Sequence, residues 1–149
     1  MTNVIVRMAE YEDTQAMLPL LAQLGYPATL AECEKRFQAF SSVTGHGIGV
    51  ATLSNKIIGW VAWSASPVFI SDQIRIRIEG LVIDENYRGQ GVGKQLMQFV
   101  EDFAQQWRPV MIELTSNLRR AQEGTHAFYQ SIGYHNAGDK AKWYASKEV

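Results

Sequence analysis

Apolar residues recur along this chain with two different periods, and the switches between them mark out its elements. Val4 to Met8 is a short apolar run and predicts a first strand. Glu10 to Asp13 is polar and leads into a helix. There Ala16, Met17, Leu20, Leu21 and Leu24 repeat at helical spacing until Gly25. Pro19 falls inside that helix and is expected to kink it, because it has no N–H to donate. Thr29 and Glu32 have the spacing of a capping box, which predicts a second helix through about Phe40. Gly47 to Leu53 and Ile57 to Val68 read as strands joined by a hairpin at Ser54, Asn55 and Lys56. Ile74 to Ile83 reads as a fourth strand and Val110 to Thr115 as a fifth. Between them Val92, Leu96, Phe99, Val100, Phe103 and Trp107 mark one face of a helix. Thr125 to Ile132 is a short helix ending at Gly133, and Tyr134 to Ala137 with Ala141 to Ala145 predicts a closing pair of strands. The order β-α-α-β-β-β-α-β-α-β-β predicts an α/β domain with a mixed sheet of about seven strands and about four helices.

The fourth strand has a clean parity. Ile74, Ile76 and Ile78 face one way, and Arg75, Arg77 and Glu79 the other. Alternation breaks at Gly80, after which Leu81, Val82 and Ile83 are all apolar. A glycine inside a strand marks a bulge or a close approach, and a bulky neighbour would serve as well.

With 149 residues the chain reads as one domain, 1–149, large enough for a sizeable core. A formal net charge of -1 and the lack of a Lys/Arg run argue against a nucleic-acid partner. No apolar run approaches membrane-spanning length, and the first residues do not read as a signal peptide, so a cytoplasmic protein without a membrane partner is expected. The lone Cys33 has no cysteine to pair with and sits in a helical pattern, where it reads as packing. His46, His126 and His135 lack metal-ligand spacing, so no metal is expected. Trp60 and Trp63 read as core or sheet-surface aromatics rather than a stacking platform.

Chemistry concentrates after the fourth strand, where Arg88, Gly89, Gln90, Gly91, Val92 and Gly93 lead into the amphipathic helix. Glycines at a strand-to-helix junction leave backbone N–H groups uncovered, and the helix N-terminus adds unsatisfied donors and positive dipole. That combination is a pyrophosphate cradle. Two phosphate motifs fail. A Walker A loop ending at Gly93 and Lys94 would need glycine where Arg88 stands and Ser or Thr in place of Gln95. A dinucleotide fingerprint beginning at Gly89 and Gly91 would need glycine where Lys94 stands. The remaining Arg-x-x-Gly-x-Gly pattern resembles the acetyl-coenzyme A loop of the Gcn5-related N-acetyltransferase (GNAT) superfamily, and the order of elements is similar over nearly the whole chain.

The resemblance implies that acetyl-coenzyme A is the co-substrate, its pyrophosphate held by backbone of Arg88, Gly89, Gln90, Gly91, Val92, Gly93 and Lys94. It implies a bulge near Gly80 that splays the fourth strand from the fifth. The pantetheine arm would enter that gap and bond to backbone of Leu81, Val82 and Ile83, as an added strand would. The N–H of Val82 would polarise the thioester carbonyl. A second segment, Thr115 to Asn117 followed by His126, Phe128, Tyr129, Gly133 and Tyr134, is similar to a strand end and short helix of many members. Thr125 stands where alanine is usual, and the stretch before His126 is longer, which leaves any contacts of Arg119 and Arg120 open. By this resemblance Tyr129 protonates the leaving thiolate and Asn117 contacts the coenzyme arm. A half-buried helix tyrosine is the plain alternative.

An amine acceptor must lose a proton before attack, and Glu79, on the polar face at the splay point, is the candidate base. An ion pair with Arg75 or Arg77 is the equally open alternative, and Glu113 is a substitute base. Arg75 and Arg77 are candidates for binding an anion carried by the acceptor, since arginine forks match carboxylate and phosphonate; pairing with Glu79 or solvent is the alternative. The resemblance implies acetyl transfer to a primary amine of a small molecule by direct ternary-complex attack. Aminoalkylphosphonate acetyltransferases share similar strand and helix segments, and aminoglycoside, polyamine and protein N-terminal acetyltransferases are similar at the same level, so the acceptor stays open. A protein lysine or N-terminal acetyltransferase and a non-catalytic acetyl-coenzyme A-binding module remain as rivals. Many relatives are dimers, so a homodimer is left open.

Overall fold

The structure is a computed structural model that describes residues 3–115, 124–136 and 145–149. The chain divides into two compact units, Met1–Leu114 and Thr115–Val149. In the first unit the elements are β1 (Ile5–Met8), α1 (Thr14–Leu24), α2 (Leu30–Ser41), β2 (His46–Leu53), β3 (Lys56–Val68), β4 (Ser71–Ile83), α3 (Val92–Ala104) and β5 (Val110–Glu113). In the second unit, α4 spans Thr125–Ser131.

Among the described residues the sheet has five strands in the order β1-β2-β3-β4-β5, not the seven expected. The first four are antiparallel and β5 joins β4 in parallel, so the sheet is mixed as expected. Of the expected closing pair, residues 137–144 lie outside the described residues, and Tyr134, His135 and Asn136 form no strand. Tyr134 has another task. Its N–H donates to Tyr129 C=O at 3.0 Å while Gly133, at φ 98°, donates to Gln130 C=O at 3.1 Å. These two bonds close the end of α4, so the Tyr134 amide serves a helix cap rather than a ladder.

Local chemistry explains most boundaries. The Thr29 side chain accepts from Glu32 N–H and the Glu32 carboxylate accepts from Thr29 N–H, which starts α2 where the spacing requires. Ser54 (φ 49°) and Asn55 (φ 64°) form the two-residue turn between β2 and β3. The helix α1 runs through Pro19 without a break. Gln15, whose carbonyl loses its partner there, and Pro19 are both on the exposed side, where water can take that bond.

The core lies on both faces of the sheet. Met17 and Leu20 of α1 pack with Ile48, Val50, Ile57, Trp60 and Val82 on one face. On the other, α3 buries Val92, Leu96, Met97 and Val100. Trp63 is fully buried there, its ring 5.2 Å from Phe103 and 6.1 Å from Phe99. A Cβ at Gly47 would sit 2.3 Å from the Trp63 ring, so glycine is what lets the indole lie flat on β2. Both strand tryptophans are thus core residues, as their positions led one to expect. Cys33 is buried beside the Thr14 carbonyl, and burial pushes its thiol pKa up.

Candidate active site

The break in alternation at Gly80 is a bulge, and its extra residue is Glu79. Trp63 pairs with Ile78 and Ala62 with Gly80, so Ala62 alone opposes both Glu79 and Gly80. The bulge changes which face each residue takes. Ile76 and Ile78 face α3 before it, whereas after it Val82 joins Trp60 on the α1 face. The second reading of Gly80 holds as well. A Cβ there would sit 3.1 Å from the Trp60 ring and 3.5 Å from Leu24.

The same bulge turns the backbone. Before it, Ile74 N–H donates to Pro109 C=O at 3.0 Å, toward the β5 side. After it, Asp84 N–H donates to Ile58 C=O at 2.8 Å, toward β3. Polar backbone groups alternate along a strand, so Val82 also faces β3 and the intervening residues face the other edge. The Val82 carbonyl oxygen accordingly lies 3.0 Å from where a Gly59 Cβ would be. Pairing of β4 with β5 ends at Arg77 and Glu113, while β4 continues to Ile83. Leu81 and Ile83 therefore present their amides to an edge that β5 does not cover. Of the three residues expected to hold an extended arm, Leu81 and Ile83 have the required backbone direction. Val82, whose N–H the resemblance makes the carbonyl donor, has its backbone groups directed toward β3, whereas those of Leu81 point away from it.

That edge leads directly to the glycine loop. A short 3-10 turn, Glu85–Tyr87, follows β4, capped by the Asp84 carboxylate on Asn86 N–H at 3.0 Å. Arg88 folds back, its Nε donating to Ile83 C=O at 3.1 Å. Gly89 (φ 75°) and Gly91 (φ 82°) adopt left-handed conformations that other residues rarely take, and nothing lies within 4 Å of a Cβ built at either. Gly91 is the N-cap of α3, and no side chain among the described residues caps it. The first helical bond is Gln95 N–H to Gly91 C=O at 3.1 Å, which leaves the amides of Val92, Gly93 and Lys94 without an intrahelical acceptor. Val92 and Gly93 are buried against the sheet, and Arg88, Gly89, Gln90, Gly91 and Lys94 are exposed. Open space, free donors and the positive end of a helix dipole coincide at one point, the combination that binds a phosphate.

Arg75, Arg77 and Glu79 share the face of β4 opposite α3, as the parity requires. Of the alternative ion pairs of Glu79 with Arg75 or Arg77, the one with Arg75 does not form. Arg75 Nε lies 3.2 Å from Glu113 Oε1 on β5. Glu79 instead accepts a hydrogen bond from Ser64 Oγ at 2.8 Å. Ser64 was not singled out from the sequence, since only the register of β3 against β4 shows that it shares this face. A serine directly after Trp63, and so on the opposite face of β3 from it, was the available signal.

In the second unit, Tyr129 lies half-buried on α4, between the rings of Phe128 (5.1 Å) and Tyr134 (6.2 Å). Gly124, at φ 78°, starts this helix as its N-cap. Asn117, Arg119 and Arg120 lie outside the described residues. Among the described residues, no group of His, Cys, Asp or Glu could hold a metal ion, and no helix is long and apolar enough to cross a membrane.

Comparison with known proteins gives this geometry a family. The model of the acetyltransferase (GNAT) family matches residues 11–134. A GNAT family acetyltransferase from Staphylococcus aureus is similar over 100% of both chains, at 22% identity and a TM-score of 0.80. An aminoglycoside N-acetyltransferase in complex with CoA covers 100% of this chain and 97% of its own, at 13% identity and a TM-score of 0.84. A glucosamine-6-phosphate N-acetyltransferase from Arabidopsis thaliana covers 98% of each chain, at 22% identity and a TM-score of 0.78.

Proposed function

The chain belongs to the GNAT acetyltransferase family, and from that premise we propose that it transfers the acetyl group of acetyl-coenzyme A to a primary amine of a small molecule. The observation that carries the reading is two sets of backbone donors at either end of one strand-to-helix connection. One is the edge of β4 at Leu81 and Ile83, beyond its pairing with β5, and the other is the start of α3, which no side chain among the described residues caps. An extended arm ending in a pyrophosphate fits the two, the arm as an added strand and the phosphates on the helix terminus.

In this mechanism Leu81 N–H polarises the thioester carbonyl. Glu79 takes a proton from the ammonium form of the acceptor, directly or through water. The freed nitrogen attacks the carbonyl carbon, the C–N bond forms and the C–S bond breaks. Tyr129 supplies the proton that the departing thiolate takes up, and the amide nitrogen releases its second proton to solvent. A neutral phenol is a suitable donor at neutral pH. Asn117 is proposed to contact the coenzyme arm. Two solved structures of this fold are named for N-acetyltransfer to aminoglycosides and to glucosamine-6-phosphate, which supports a small acceptor.

The test is release of coenzyme thiol from acetyl-coenzyme A against a panel of small amines, with the acetylated product identified by mass. Amine-dependent release with at least one small amine is expected. Binding of acetyl-coenzyme A without turnover on the panel would leave the non-catalytic module. Turnover on peptides alone would leave the protein acetyltransferase.

A further inference from the structure

We propose that Ser64 is a positioning residue for Glu79, holding one carboxylate oxygen so that the other is aimed at the acceptor's proton. The proposal rests on the reading of Glu79 as the base. Three observations carry it. Glu79 is the extra residue of the bulge, so the ladder does not fix its side chain as it fixes those of Arg77 and Val82. It is exposed, and an unrestrained carboxylate there would sample several rotamers. Ser64 pairs with Arg77, the preceding residue on that face, and donates its Oγ hydrogen to Glu79 Oε1 at 2.8 Å.

Arg75 is engaged elsewhere, 3.2 Å from Glu113, the register partner of Arg77 on β5. A neutral hydroxyl suits a base better than a guanidinium would. It orients the carboxylate while leaving Oε2 free to accept, whereas a bidentate arginine would occupy both oxygens. Serine is short and half-buried in the middle of β3, so its Oγ is set by the backbone and moves little. General-base catalysis needs the accepting atom within hydrogen-bond reach of the proton it removes, and a displacement of about 1 Å can cost about a hundredfold.

The experiment compares Ser64→Ala, Ser64→Thr, Glu79→Gln and the double variant Ser64→Ala/Glu79→Gln in the full chain. The readouts are kcat and KM for the best amine of the panel, with the Kd of acetyl-coenzyme A from calorimetry. Ser64→Ala is expected to lower kcat about tenfold, the scale of one hydrogen bond to a charged group, with coenzyme Kd unchanged. Ser64→Thr, which keeps the hydroxyl, should recover most of the rate. The double variant should be no slower than Glu79→Gln, because Ser64 acts only through that carboxylate. If Glu79→Gln is slow but Ser64→Ala is as fast as the parent, the positioning role is overturned and the base survives. Losses that multiply in full in the double variant overturn it too. A Glu79→Gln enzyme as fast as the parent overturns the base assignment, and the positioning role with it.

Discussion

Two acidic residues of the first unit show how surroundings divide their tasks. Asp13 accepts from both terminal nitrogens of Arg7, at 2.7 and 2.9 Å, and from Glu10 N–H at 2.7 Å. The Arg7 guanidinium, aided by the Glu10 N–H, holds the Asp13 carboxyl below the usual carboxylate range against the opposing effect of burial. A carboxyl with a lowered pKa in the folded state stabilises the fold above the unfolded value of about 3.9 and loses that contribution as pH falls through the folded one. Asp13→Asn should therefore melt lower than the parent at pH 7, with the difference shrinking as pH falls below about 4. Thermal unfolding at several pH values tests this, and a gap that stays constant into acid would refute it. Glu79, by contrast, keeps an oxygen available, so its substitution should be felt in rate rather than in melting. Glu79→Gln should slow acetyl transfer by about a hundredfold or more and most at low pH, where more of the acceptor is protonated. Tyr129→Phe should slow it while leaving coenzyme affinity intact. Unchanged turnover in both variants would remove them from the mechanism. Of these groups, Glu79 and Tyr129 stood out in the sequence because strand parity and a motif framed them. The Arg7–Asp13 and Ser64–Glu79 contacts did not, because each depends on how separate elements pack.

The glycine loop makes its prediction at the level of an element. Gly91 combines a φ of 82° with open space where a side chain would project. Gly91→Val should thus do two things. It should destabilise the fold by roughly 1–2 kcal/mol, the cost of a left-handed conformation, and it should place methyl groups where a pyrophosphate would approach. Thr29→Ala is the control, since losing that cap costs about 1 kcal/mol far along the chain from the loop. Calorimetry should show weak acetyl-coenzyme A binding only in Gly91→Val. If the two bind equally well, the cradle lies elsewhere. The loop, the capping box, the β2–β3 turn and the apolar face of α3 were all legible because each is written in contiguous residues. The bulge was half legible. Gly80 announced it, yet only the pairing with β3 shows that Glu79 is the extra residue and that the backbone direction reverses after it. That reversal turns the Val82 amide toward β3 and the Leu81 amide away from it. The β4 strand also begins earlier than its apolar alternation, at Ser71, because the hairpin from β3 pairs Ser71 with Val68, with Asp72 and Gln73 set out of the ladder by a second register shift.

For the molecule as a whole, charge decides how an acceptor is selected. The net charge is -1 over 149 residues, too little for long-range steering toward either polycations or polyanions. Discrimination then falls to groups near the proposed reaction centre. On that face Arg75 and Arg77 are balanced by Glu79 of the same strand and Glu113 of β5, with Arg75 held by Glu113. A locally balanced face of this kind has no excess of negative charge to attract a polyamine. The candidate groups on it are the Glu79 carboxylate, for an ammonium group, and, about 7 Å away at the next position on the same side of the strand, Arg77, which we propose recognises an anion in competition with its contacts within the protein. We therefore expect amines that also carry a carboxylate, phosphate or phosphonate to be better acceptors than plain diamines. Arg77→Ala should raise KM for such acceptors and leave both their kcat and coenzyme affinity nearly unchanged, the pattern of lost ground-state binding. It should not affect KM for a plain amine, which has nothing to offer the guanidinium. Steady-state kinetics with one acceptor of each kind, on parent and variant, gives the answer. A parent enzyme that prefers spermidine or an aminoglycoside, or an Arg77→Ala variant that raises KM equally for both acceptors, would exclude an anion-binding role for this face.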